Sequence, residues 1–315
     1  MKSMQYAQTY SAAKALSCVC KYYGTRPDLV QAGGGNISVK CGDDFMLIKA
    51  SGCTLFEVES NKNIAAVDIS SIIEFNQSTD RTNMSEKDFL QSVSVSNHQP
   101  SLETFFHAKT KKYTVHLHPF VVVQALNLHK NKLINKFKDT AEFVDYYRPG
   151  LELSDHMTCE KKIIFLDKHG LIVHSDYLTD VVETIEQVVD YCASLVGADI
   201  SIYKEISAIQ DYLSLEYGEM MYIISTDVDF TNLKKTPDCV IYSGGKCSSL
   251  EEISEEIPTC IRMNGHNFIV SKSFLRCKQI EEVLRMYSSV TTELSISDVN
   301  NLLHWDSEKY RQMEH

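Results

Sequence analysis

The chain has 315 residues, 43% hydrophobic and 23% charged, with a formal net charge of −11. That length suits one large or two modest domains, and the acidic balance argues against general nucleic-acid or anionic-membrane partners. No apolar run approaches the roughly 20 residues that span a bilayer, and the ten cysteines form no CxxC framework, which reads as reduced thiols of a cytoplasmic protein without a secretory signal.

Residues 4–23 read as a first helix, because Ala12, Ala13, Leu16, Val19 and Cys20 fall on one face. Residues 31–60 read as short strands and tight turns. They contain the cluster Gly33 to Gly35, followed by Asn36 and Ser38, and a second small-residue turn from Lys49 to Gly52 after a strand over Phe45 to Ile48. Three glycines allow close backbone approach and unusual φ, so the cluster is either an anion site built from backbone N–H groups or a plain glycine-rich turn. It is not a dinucleotide fingerprint, since Ser38 stands where GxGxxG needs its last glycine, and Ser243 to Lys246 lacks the P-loop spacing.

Residues 65–100 are polar and mixed, and read as helical pieces with a long loop. Ser101 to Thr110 reads as a helix start carrying Glu103. That carboxylate is either a general base or an ordinary first-turn glutamate with Ser101 near the cap. Residues 112–127 hold a strand and the start of the next helix, from the β-branched and aromatic residues Thr114, Val115 and Phe120 to Val123. Residues two apart on a strand face the same side. His116 and His118 therefore present two imidazoles together, either as two legs of a metal tripod or as a satisfied polar pair.

Residues 161–167 read as a buried strand ending at His169 and Gly170, and residues 178–216 as helical, with Val181, Val182, Ile185, Val188, Val189 and Cys192 apolar. A smaller unit follows from residue 217. Met220 to Ser225 and Asp238 to Tyr242 look like strands, Glu251 to Glu256 like an acidic linker, Asn267 to Val270 like a strand and Phe274 to Met286 like a helix. Residues 268–284 echo residues 171–189 as strand, turn and amphipathic helix, which is either a degenerate internal repeat or two ordinary units. The second copy has Gly265-His266 where the first has His169-Gly170, so it does not keep the ligand geometry. His98 and His107 flank Glu103, and His129, His156, His174 and His304 have no partner pattern. His107 reads as locally bonded, and the segment around Trp305 as a docking helix.

Taken in order, GGGN-x-S, KASG, P-S-L-E, H-x-H-P, Y-x-x-x-G and HGL resemble the class II aldolase/adducin family over about residues 5–195. The tail, in Pro237 to Tyr242 and Leu303 to Arg311, resembles the C-terminal extension of longer bacterial members. The resemblance implies an α/β fold of three layers, with a central, mainly antiparallel sheet flanked by helices and a smaller C-terminal α/β unit, divided as 1–216 and 217–315. It implies one Zn2+ per subunit, with another divalent metal as the alternative, on His116, His118 and His169, an arrangement that leaves an open coordination position. Glu103 matches the acid/base residue, and Gly35, Asn36, Ser51, Gly52 and Ser101 match the phosphate-binding positions. Tyr146, four residues before Gly150, matches the tyrosine that reaches into a neighbouring subunit, with adjacent Tyr147 as the alternative. The implied activity is reversible retro-aldol cleavage of a phosphorylated ketose through a metal-stabilised enediolate, in a homo-oligomer with a tetramer favoured. Epimerisation or dehydration on the same metal, or an adducin-like scaffold without chemistry, are the alternatives. Two departures stand out: Leu102 precedes Glu103 where a small hydroxyl residue is frequent, and charged Asp167 and Lys168 precede His169. Lys168 either adds a cationic contact or, the favoured reading, faces solvent.

Overall fold

The computed structural model describes residues 2–81, 84–230, 236–243, 246–247, 249–253, 257–289 and 293–305. The chain divides into two compact units, 1–200 and 201–315.

In the first unit α1 (Lys2–Gly24) precedes a hairpin of β1 (Asn36–Cys41) and β2 (Phe45–Lys49). Next come β3 (Ile64–Asp68), α2 (Ile69–Gln77), α3 (Glu86–Ser92), the short α4 (Thr104–His107), β4 (Tyr113–Leu117) and α5 (Phe120–Phe137). β5 (Ala141–Val144), α6 (Leu151–Asp155), β6 (Ile163–Leu166), β7 (Gly170–Ser175) and α7 (Leu178–Val196) complete it. The strands form one seven-stranded sheet in the order β3-β2-β1-β4-β7-β6-β5, antiparallel at every pairing except β5 with β6. This is the mainly antiparallel, helix-flanked sheet that the resemblance implies. β4 is the middle strand, and Thr114 to Leu117 are all buried.

α5 and α7 pack together and over β7, while α1 covers β1 and β2. α7 buries Val181, Thr184, Ile185, Val188, Val189 and Cys192, the spacing of one helical face. It stops at Gly197, whose left-handed φ of 68° closes the last turn. The two aromatics of α4 enter separate clusters. Phe105 stacks near Phe75 and Phe89 under β2 and β3, and Phe106 packs with Val144, Leu153, Ile164 and Ile172. That double anchorage fixes the residue just before α4, which is Glu103.

The second unit runs α8 (Ser201–Tyr217), β8 (Tyr222–Thr226), α9 (Pro237–Ser243), β9 (Lys246–Cys247), a 3-10 turn (Leu250–Glu252), β10 (Cys260–Met263), β11 (His266–Ser271), α10 (Phe274–Tyr287) and α11 (Ile296–Leu303). Its sheet has the order β8-β11-β10-β9.

Several expectations need correction. The boundary falls before α8 rather than after residue 216, because Ile206, Ile209 and Leu213 of that helix are buried against Met221, Ile223, Ile261, Phe268 and Val270. Asp238 to Tyr242 is helical, not a strand. Thr236 caps the helix, its Oγ1 accepting from the Cys239 N–H at 3.3 Å, and Pro237 takes the first helical position, where its missing N–H costs nothing. The polar stretch 65–100 contains β3, whose alternate residues Ala65 and Val67 face inward. β5 and β10 had no strand assigned from sequence. Residues 254–256 of the acidic linker and residues 306–311 of the tail lie outside the described residues.

Gly170 marks how tightly the sheet closes around the histidines. A Cβ there would fall inside contact with the Leu117 carbonyl oxygen and 3.1 Å from the His118 Cα. Gly170→Ala is therefore predicted to lower stability by roughly 2–4 kcal/mol, at the upper end for single changes. Denaturant unfolding reads this, and an unchanged midpoint would contradict the close approach.

Candidate active site

Three imidazoles converge at one end of the central strands. His116 lies in β4, opposite Asn36 of β1 on one side and Ile172 of β7 on the other. His118 follows directly after β4, and Pro119 then ends the ladder and begins α5. The loop after α1 holds this corner: Leu29 O accepts the His118 N–H at 2.8 Å and Asp28 O accepts the Phe120 N–H at 3.1 Å. That loop is braced by a buried, bidentate ion pair, with Arg26 Nε and Nη2 donating to the Asp28 carboxylate at 2.7 Å. His169 comes from the β6–β7 turn, where Lys168 takes φ of 56°. The ring centroids of His116, His118 and His169 are 4.7–4.8 Å apart pairwise. One ligand-capable atom from each, with one from Glu103, falls within 4.8 Å of the others.

The group fits a divalent cation. Nε2 of His116 and of His118 are buried and have no hydrogen-bond partner, and a buried polar atom left alone is costly. Burial, then the positive charge of neighbouring imidazoles, pushes His118 down to about 3 and His169 down to about 4. Both rings are thus neutral, as ligation requires. An all-imidazole donor set suits zinc and leaves room for a further ligand.

Glu103 sits at the start of α4 but makes no capping bond with its side chain. Its Oε2 lies 2.8 Å from His116 Nδ1 and 4.0 Å from His107 Nε2. Burial would raise its pKa, yet the charge and hydrogen bond of His116, followed by His107 and His169, hold it at about 2. The carboxylate is ionised and hydrogen-bonded within the histidine cluster, not to the helix end. His107 is fully buried with Nδ1 2.7 Å from Ser38 Oγ; that bond reaches β1, far away in the chain, where the sequence suggests local packing or bonding.

The two small-residue turns lie close to this cluster. At Gly34 a Cβ would stand 2.8 Å from His118 Nδ1, so only glycine lets the turn abut the ring. Gly35 has φ of 71°, and Asn36 is buried at the head of β1. The turn at Ser51 and Gly52 is joined to the segment before Glu103 by the Ala50–Pro100 bridge and by the Ser51 N–H donating to Gln99 O at 2.9 Å. Ser101 Oγ accepts the Glu103 N–H at 3.3 Å. Gly35, Asn36, Ser51, Gly52 and Ser101 are thus drawn toward one region.

Sequence reasoning did not assign Lys49 to the site. The residue is only 3% exposed, and Nζ makes long contacts to a carbonyl of each turn, Gly33 O at 3.4 Å and Ala50 O at 3.5 Å. A charge so buried calls for a counter-charge. The available signal was a lysine ending a strand whose preceding residues, Met46 to Ile48, are all buried.

Tyr146 and Tyr147 are separated by their surroundings. Tyr147 stacks on His156 at 3.6 Å and packs on the core around Phe106 and Leu153. Tyr146 is 57% exposed and away from its own chain's core. Glu86 anchors the segment after it, accepting from Arg148 Nη2 at 3.1 Å and the Leu151 N–H at 3.3 Å. Lys168 is 75% exposed, 4.0 Å from Asp167, in keeping with the solvent-facing reading.

The chain belongs to the class II aldolase/adducin family: the family model described as Class II Aldolase and Adducin N-terminal domain matches residues 14–196. No curated protein matches. Among solved structures, the N-terminal class II aldolase domain of a conserved Thermoplasma acidophilum protein is 23% identical, with a TM-score of 0.49, covering 60% of this chain and 92% of that one. A sugar-phosphate aldolase from Thermotoga maritima is 18% identical, TM-score 0.43, with coverage of 59% and 94%. An L-fuculose 1-phosphate aldolase is 20% identical, TM-score 0.44, with coverage of 59% and 84%. Among the described residues no helix is long and apolar enough to cross a membrane. Family membership supports an aldolase-like function with a divalent metal.

Burial also lowers His107 to about 3 and His174 to about 4, from 6.5. With His118, His169 and Glu103, every one of these groups binds protons less readily folded than unfolded. Stability is then full above about pH 6.5 and is lost as pH falls toward 4. The metal-free chain should show a Tm that declines steadily from pH 7 to 4.5 in a thermal melt, with a shallower decline in His174→Gln. A flat or rising profile would contradict the burial of neutral imidazoles.

Proposed function

We propose that the chain is a zinc-dependent aldehyde-lyase that reversibly cleaves a phosphorylated ketose into a three-carbon ketone phosphate and an aldehyde. The observation that carries this is the convergence of three histidines, two with unpartnered buried Nε2 atoms, on an ionised Glu103. A scaffold has no use for that set.

His116, His118 and His169 would hold the ion. When bound, it supplies Lewis-acid stabilisation for negative charge on the ketone's oxygens. Gly35, Asn36, Ser51, Gly52 and Ser101 would hold the phosphate, with Lys49 adding cationic charge there. This remote contact orients the reacting carbons. In the condensation direction the Glu103 carboxylate removes a proton from the hydroxymethyl carbon of the ketone phosphate. The freed electron pair forms the new C–C bond to the aldehyde carbon. Tyr146 donates its hydroxyl proton to the aldehyde oxygen, and cleavage runs the same path backwards. Exposed Tyr146 serves a neighbouring subunit's site in this reading, so the active form is a homo-oligomer, with a tetramer favoured. The ten free cysteines suit a cytoplasmic setting.

Metal analysis of protein purified without chelator, with retro-aldol assays on ketose 1-phosphates, tests the reading. One divalent ion per chain and cleavage are expected. His116→Ala should lose the ion. Glu103→Gln should keep it while kcat falls by about 10²–10⁴-fold, the range for a lost general base. Lys49→Met should raise KM several-fold with metal content unchanged. A metal-free wild-type chain, or full cleavage by Glu103→Gln, would overturn the proposal. Stereochemical inversion without cleavage products would identify an epimerase instead.

A further inference from the structure

A cavity of about 780 Å3 opens beside the histidine cluster, with His118 and His169 in its wall. None of the residues assigned to the phosphate, nor Glu103, lines it. Its polar lining comes from Gln31, Gln124, Asn127, Asp167 and Lys168. Asp167 and Lys168 are 4.0 Å apart, so their charges offset each other. Three primary amides remain, and each can both donate and accept. Gln124 and Asn127 stand three apart on α5, on one helical face. Gln31 Nε2 donates to Pro27 O at 3.0 Å and to His118 O at 3.3 Å, which ties its amide nitrogen to the ligand strand and leaves Oε1 as an acceptor.

A ligand held at its phosphate by the glycine turns and at its reacting carbons by the histidines has one end left. The volume falls within the roughly 300–1,000 Å3 of small-molecule sites. We propose that this cavity is the subsite for the aldehyde portion, and that Gln31, Gln124 and Asn127 read the hydroxyls of an uncharged polyhydroxylated chain. The assignment rests on the lyase reading above and extends it to the substrate class.

Solvent hydrogen exchange into the three-carbon ketone phosphate separates the two. Exchange needs the metal ligands, the anion turns and Glu103, but not the cavity. In the zinc-loaded full chain, Gln124→Leu with Asn127→Leu should leave exchange and metal content within about twofold of wild type. Cleavage of a ketose 1-phosphate hydroxylated in its aldehyde portion should fall at least about tenfold in kcat/KM, the scale of one lost hydrogen bond. Condensation with an unhydroxylated aldehyde should be nearly unchanged. Equal losses with both aldehydes, no loss with either, or a ketose bisphosphate cleaved as well as the neutral-ended sugar would overturn the assignment. Absence of exchange in the wild type would overturn the lyase reading and this subsite with it.

A separate observation concerns the second unit. β8 pairs antiparallel with β11, β11 antiparallel with β10, and β10 parallel with β9. β4, β7, β6 and β5 pair in the same sequence of senses. The registers also agree: Tyr113 faces Ser175 as Tyr222 faces Ser271, and Ala141 faces Ile163 as Lys246 faces Cys260. α7 buries Val181, Thr184 and Val188; α10, starting at the same distance from its strand, buries Cys277, Ile280 and Leu284. We infer that the described residues within 222–287 are a degenerate copy of the half-sheet that carries the histidines, and that the copy has lost the metal site. Ser225 and Asp227 stand at the positions of His116 and His118. The turn of residues 264–265 replaces that of residues 167–169, so His266 takes the place of Gly170 and nothing matches His169. His266 Nδ1 instead meets Glu205 at 3.0 Å, and Asp227 pairs with Arg285 at 2.7 Å.

Zinc titration of the full chain should give one site in the wild type and none in His116→Ala. Ser225→His with Asp227→His and a histidine inserted after Asn264, made in the His116→Ala chain, should regain one. A second ion retained by His116→Ala would overturn the inference, as would a folded graft that binds none. Should the graft not fold, the wild-type and His116→Ala stoichiometries still decide whether the copy holds metal.

Discussion

The site depends on β4 being the middle strand of its sheet. Backbone hydrogen bonds to β1 and β7 fix it on both edges, and Thr114 to Leu117 are buried. A strand held that way cannot rotate or slip, because a one-residue shift would turn every side chain to the opposite face. His116 is therefore set by the whole sheet, and Glu103, just ahead of two anchored aromatics, meets it at 2.8 Å.

Charge is handled in the same local manner. The chain as a whole is acidic, yet around the proposed anion site it buries a lysine between two small-residue turns. Arg26 and Asp28, fully paired, brace the loop that holds His118. Neither residue needs to touch a substrate; a bidentate pair in low dielectric is rigid, and rigidity is what a ligand corner requires.

The second unit shows how a sheet can outlast its chemistry. Pairing sense, register and the buried helix face agree between the two units, because those features satisfy backbone hydrogen bonds and bury apolar surface. The ligand positions face no such demand, and in the second unit they hold Ser225, Asp227 and a shortened turn.

Much of this was legible from residue order alone. The i,i+2 histidines on a β-branched segment, the triple glycine and the helix start beside Glu103 are local patterns, and local periodicity reports which side chains share a face. Their order along the chain also carried the family resemblance. What sequence could not decide was whatever depends on contacts between distant segments. That His169 closes the triangle follows from β6–β7 pairing beside β4. That Lys49 is buried follows from the packing of two turns, and that Tyr147 is sequestered while Tyr146 is exposed follows from the stack on His156. The unit boundary before α8 was hidden because helical periodicity shows that a face is apolar but not which sheet will cover it. The helix at Pro237 was misread because a short apolar run has no period of its own, and the cap at Thr236 decided it. Sequence by itself determined the chemical groups on offer and the faces they share; the tertiary structure decided which of them meet, since burial and pairing act between residues that the chain order keeps apart.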